Sequence, residues 1–122
     1  MFRWLAMLVA LLVISGCGAT RVIRNDPGGR IIDYALKVAK AKSVRIDGWC
    51  ASACTLYIAH PNVCITRRAR FAFHAASHPV ATQYLINQYP QWVDDWIAAQ
   101  GGLSARLVEM PNRHAMQHMR AC

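Results

Sequence analysis

The chain has 122 residues, 55% of them hydrophobic, and its 14 Lys and Arg against 6 Asp and Glu give a net charge of +8. That length fits one domain, and the absence of internal repeats and low-complexity tracts points to a single compact unit. A basic balance of this size suits contact with anionic lipid, peptidoglycan or nucleic acid. It equally serves solubility, and the spread of Arg21, Arg24, Arg30, Lys37, Lys40, Lys42 and Arg45 over several elements favours that plainer reading; only Arg67-Arg68-Ala69-Arg70 forms a local cluster.

Met1-Phe2-Arg3 is a short basic start, and Trp4 to Ile14 is an unbroken apolar run. The run is shorter than the roughly 20 residues of a spanning helix, so it reads as the apolar region of a secretory signal covering residues 1–16. Ile14-Ser15-Gly16-Cys17 resembles the bacterial lipobox, which implies acylation of Cys17, a mature unit of residues 17–122 and anchoring through Cys17 acyl chains. Gly18 after the cysteine suits the outer membrane, facing the periplasm. An uncleaved N-terminal anchor is the alternative. Export also argues against a nucleic-acid partner. Without Arg3 the mature unit still carries about +7.

Cys50, Cys54, Cys64 and Cys122 remain once Cys17 is set aside, an even number in a small exported chain, and two disulfides are expected among them. Three pairings are open. Cys122 is the natural candidate to tie the C-terminal end to the body. The cysteines lack paired CxxC spacing and the histidines do not complete a zinc signature, so no metal or cofactor is expected.

In chain order, Arg21-Val22-Ile23-Arg24 is a strand running into the turn Asn25-Asp26-Pro27-Gly28-Gly29. Ile31, Ile32, Ala35, Leu36, Val38 and Ala39 recur at helical spacing, with Lys37, Lys40 and Lys42 towards the C-terminal end. A strand from Ser43 to Asp47 follows, and the short connections predict parallel pairing. Trp49-Cys50-Ala51-Ser52-Ala53-Cys54 leads into a helix from Thr55 to His60, and Pro61-Asn62 turns the chain. Val63 to Thr66 and Arg70 to His74 read as two strands of a hairpin joined by a basic turn. Val80 to Gln88 and the stripe Trp92, Val93, Trp96 and Ile97 predict two helices, the second stopped by Gly101-Gly102. Ser104 is expected to cap a short helix through Met110, and Asn112 a last one. The aromatic residues here fall at helical spacing and read as core.

Three stretches carry chemistry. A serine with small neighbours at a strand-to-helix junction exposes its hydroxyl, and the amide after it points into the same space. Ser52 is then a nucleophile, His74 at the end of Arg70-Phe71-Ala72-Phe73-His74 its base, and Gly28 with Ala53 the source of oxyanion donors. Imidazole has the basicity to take a serine proton near neutral pH. Each has a plainer reading: a turn at Gly28-Gly29, a helix N-cap at Ser52, a strand-end histidine at His74.

From Val22 to His74 this order resembles the Clp protease proteolytic subunit and the wider crotonase-like superfamily, most nearly as a small exported relative. The resemblance implies an α/β fold, a reduced crotonase-like β-α-β core with a helical C-terminal part. It also implies a serine hydrolase of peptidase type, with Ser52 as nucleophile, His74 as general base, Gly28 and Ala53 amides as oxyanion hole and a peptide or protein as substrate. In that family an aspartate beyond the histidine completes the triad; the acidic residues beyond His74 here are Asp94, Asp95 and Glu109. The alternative is a catalytically inactive scaffold of the same fold acting as an envelope binding or interaction module.

Overall fold

A computed structural model describes residues 19–122; residues 1–16, expected to be a signal segment, and Cys17, expected to be acylated, lie outside the described residues. The chain folds as a mixed α/β unit on a five-stranded mixed sheet. Strand β1 (Thr20–Asp26) leads through helix α1 (Ile31–Lys40) to strand β2 (Ser43–Ala51), which pairs parallel to β1 with Arg21 opposite Val44 and Asp26 opposite Cys50. The expected strand-helix-strand unit is present, with β1 two residues longer than expected at its C-terminal end and β2 four. Lys37 and Lys40 occupy the last turn of α1, where they complement the helix dipole.

The β1–β2 register is interrupted by a bulge, because β2 takes three steps from Ile46 to Trp49 while β1 takes two from Ile23 to Asn25. Gly48 sits in it, and a Cβ there would stand 2.0 Å from the Arg24 carbonyl oxygen, so only glycine fits.

After β2 the chain enters a 3-10 helix, Ser52–Ala59, beginning at Ser52 itself and not at Thr55. Every residue from Ala53 to Ile58 is buried, because this helix is covered by α1, α2 and the sheet. A helix enclosed on all sides has no polar stripe to mark its period.

Strands β3 (Val63–Ile65) and β4 (Arg70–Phe73) correct the expected hairpin. Both run parallel to β2 and follow one another along it, β3 beside Val44–Ile46 and β4 beside Trp49–Ala51. The basic segment between them is a sideways step. Thr66 Oγ1 donates to Asp47 Oδ1 at 2.7 Å, and Arg68 grips both Asp47 oxygens at 3.0 Å, which anchors the step to the neighbouring strand. These bonds hold the buried Asp47 carboxyl down at about 2.

Helices α2 (Pro79–Gln88) and α3 (Gln91–Ala99) are where the sequence places them, and Gly101 and Gly102, both at positive φ, end α3. The expected helix from Ser104 to Met110 is absent. Val108–Met110 is strand β5, antiparallel to β4 with Phe71 opposite Met110, because Met110 completes the core on that side. In α4 (Asn112–His118) Asn112 does not cap the helix; its side-chain amide donates to the Thr66 and Ala69 carbonyls and pins α4 to the step between β3 and β4. The chain then returns alongside β3 through Ile65 and Ala121.

Two disulfides form, Cys50–Cys54 and Cys64–Cys122. The second is the expected tie of the C-terminal end to the body. Among the described residues no helix is long and apolar enough to cross a membrane.

Candidate active site

Ser52 is the one non-glycine residue at positive φ among the described residues, at +56°. A side chain in that region costs of order 1–3 kcal/mol and persists only where its surroundings impose it. Three contacts impose it here. Cys50–Cys54 closes a five-residue loop around Ser52. Thr55 Oγ1 lies 2.6 Å from the Ser52 carbonyl, to which it donates, and equally close to the Tyr89 hydroxyl on the far side. Finally, the backbone of Gly28, at φ +89°, lies against the turn so closely that a Cβ there would stand 2.6 Å from the Ala51 oxygen and 2.7 Å from the Ser52 Cβ.

Ser52 does not cap its helix: the cap position is Ala51, with no side-chain bond. Among the described residues the Ser52 hydroxyl has no hydrogen-bond partner and is left to the cavity it lines. That cavity, about 490 Å³, is bounded by Gly29, Arg30, Ser52, His74, Ala81 and Leu85 among others. The structure therefore brings Ser52 and His74 to one space, without a direct hydrogen bond between them. His74 Nδ1 lies 2.6 Å from the Ala75 carbonyl oxygen. A carbonyl only accepts, so Nδ1 carries the proton in the neutral ring and Nε2 is left as the basic nitrogen.

The Gly28 N–H, expected as an oxyanion donor, donates to Asp26 Oδ1 at 2.9 Å, and Gly29 is among the residues that line the cavity. The same Asp26 oxygen accepts from the Tyr34 hydroxyl on α1, so Asp26 ties the turn to the helix. Burial first, and that bond second, push the Tyr34 phenol well above its ordinary range. Ala53 is buried beneath Ser52, and its amide lies in the first turn of the 3-10 helix, ahead of the first intrahelical bond.

None of the acidic residues considered as orienting groups reaches His74. Glu109 is held by Arg70 through Oε1 at 2.7 Å and Oε2 at 3.0 Å. Asp95 accepts from Gln91. Asp94 has a buried Oδ1 without a partner, and burial pushes its carboxyl up, with Asp95 adding to the shift. Sequence reasoning missed the Ala75 carbonyl, Gly29 and the Asp26–Tyr34 tie. The first carries no side-chain signal at all, whereas an Asp two residues before a glycine is a recognisable turn-forming pattern.

No family model, no curated protein and no solved structure matches this chain.

Proposed function

We propose that the chain is an exported serine hydrolase of peptidase type, similar in its site to the Clp protease proteolytic subunit, and anchored to the bacterial outer membrane through Cys17 on the periplasmic side. The observation that carries this reading is the uncommitted hydroxyl of Ser52, held at positive φ on the same cavity as His74. In this scheme His74 Nε2 takes the Ser52 proton as Oγ attacks an acyl carbonyl, and the Gly29 and Ala53 amides receive the developing oxyanion. His74 then gives the proton to the leaving amine, and water resolves the acyl-enzyme by the same route. The Ala75 carbonyl takes the orienting role of the absent carboxylate, a weaker stabiliser of the imidazolium than a charged group.

That absence favours a second reading, a catalytically inactive crotonase-like module that binds an envelope partner in the same cavity. A fluorophosphonate probe separates the two. Covalent labelling of the purified protein that disappears in Ser52→Ala and falls in His74→Ala supports the hydrolase. An unlabelled wild type that is folded and disulfide-bonded rejects it.

A further inference from the structure

Of the five histidines, three have ring nitrogens committed to the backbone. His60 Nε2 lies 2.7 Å from the Ala41 carbonyl, and its Nδ1 accepts from Asn62 N–H. His74 donates to Ala75, and His78 Nδ1 accepts from Val80 N–H at the start of α2. His114 and His118 differ. Among the described residues neither ring makes a hydrogen bond, yet both rings are held in place by packing. His118 stacks on the Trp92 indole with centroids 4.7 Å apart and planes 3° from parallel. His114 leans on Trp92 and Trp96 at 6.1 and 6.3 Å. The aromatic stripe of α3 is thus more than core: it positions two imidazoles whose nitrogens are unspent.

The two residues are four apart on α4, on one face of the helix, and their ring centroids are 5.1 Å apart. A metal–imidazole bond of about 2.0–2.1 Å, with the ring centre roughly 1.1 Å behind the nitrogen, puts two imidazoles about 5.2 Å apart at a tetrahedral centre and about 4.5 Å apart in neighbouring positions of a square-planar one. The separation already present lies between the two, so small ring rotations suit either geometry.

We propose that His114 and His118 bind one divalent transition-metal ion, Cu(II) most tightly, in a site independent of Ser52 and His74. Among the described residues no group of three or more His, Cys, Asp or Glu side chains converges on a point. The described residues therefore supply two ligands, and water or an exchanging ligand fills the rest of the shell. Such an open site suits transient metal loading and not the closed shell of a structural zinc. Neutral imidazole suits Cu, Ni and Zn alike, and the general order of divalent affinities puts Cu(II) first.

Trp92 supplies the readout, since a Cu(II) ion on His118 lies close enough to its indole to quench it. Titration of the full chain with Cu(II) is expected to give saturable quenching at one equivalent, displaced by excess Zn(II) or Ni(II) and unchanged in Ser52→Ala. Trp92→Phe and Trp96→Phe are each expected to lose part of the quenching, Trp92→Phe the larger part, while equilibrium dialysis still finds one bound ion. His114→Asn and His118→Asn should each weaken binding by at least the roughly 10–100-fold that loss of a ligand's own hydrogen-bond partner produces. A double variant that binds Cu(II) as tightly as the wild type overturns the proposal. Should that variant misfold, paramagnetic broadening in the wild type decides: loss of the His114 and His118 ring signals first supports the site, and loss of those of His60, His74 or His78 first overturns it.

Discussion

The two disulfides do different work. Cys50 and Cys54 are four residues apart, fully buried, and enclose Ser52. Cys64 and Cys122 are 58 residues apart and fasten the C-terminal end beside β3. In the chain-entropy account a bridge stabilises by restricting the unfolded chain, and the effect grows with the loop it closes. The long bridge is then chiefly a stabiliser of the whole fold. The short one restricts little of the unfolded chain, and its consequence is local, a serine held in a conformation that its side chain disfavours. A covalent bond in the same chain thus serves global stability in one place and local geometry in the other.

Breaking the long bridge should have the largest effect. Cys64→Ala/Cys122→Ala is expected to lose about 4 kcal/mol of stability, read as a fall in Tm of roughly 15 °C or more. The rate of fluorophosphonate labelling, measured well below the new Tm, should stay near that of the wild type. Cys50→Ala/Cys54→Ala should reverse the pattern. Its stability loss is about 2 kcal/mol by the same relation, while labelling slows about a hundredfold, the penalty of misplacing a reacting group by about 1 Å. If the two double variants prove alike in both measurements, the division of labour is wrong.

A third expectation concerns acid. Asp47 is held at about 2 by Arg68 and Thr66, and Glu109 lies below its ordinary value through Arg70. Both carboxyls are depressed in the folded state, so their contribution is present above the ordinary carboxylate range and is lost as pH falls from about 4 towards 2. Asp47 tethers the step that follows Cys64 in the long loop, so Asp47→Asn should flatten the acid limb of the stability curve. An unchanged acid limb would show that other groups govern it. The smallest effect is expected at the exposed Arg70–Glu109 pair, where Glu109→Gln should cost less than about 1 kcal/mol, since water screens such pairs. Urea denaturation is the measurement.

Local periodicity made the first half of the fold legible. The helix from Ile31, the flanking strands and their parallel pairing all follow from patterns within short windows, and so do α2, α3 and the stop at Gly101-Gly102. What was not legible depended on distant partners. Thr66 to Ala69 looks like a hairpin turn until Asp47, some twenty residues earlier, is seen to hold it. Val108–Met110 is too short to display alternation, and its identity as a strand comes from the edge that β4 offers. At the site, Ser52 announced itself through its small neighbours. The choice of Gly29 over Gly28 turned on one side-chain bond from Asp26, and the partner of His74 is a backbone carbonyl that any residue at that position would supply.

The Cys64–Cys122 bridge turns residues 64–122 into a covalent ring, and His74 lies within that ring while Ser52 lies outside it. Gly101, Gly102 and the exposed residues from Ser104 to Leu107 form a surface segment of the kind proteases cut first. One cut there opens the ring without releasing a fragment. The nicked protein is still one covalent molecule, with Ser52 and His74 on the same piece, and only a reducing agent separates the tail that carries α4. A preparation clipped in this way runs as a single band on a non-reducing gel and as two on a reducing one, and because the Ser104 carbonyl accepts from the Ala75 N–H beside His74 at 2.7 Å, a cut next to Ser104 also bears on the candidate site.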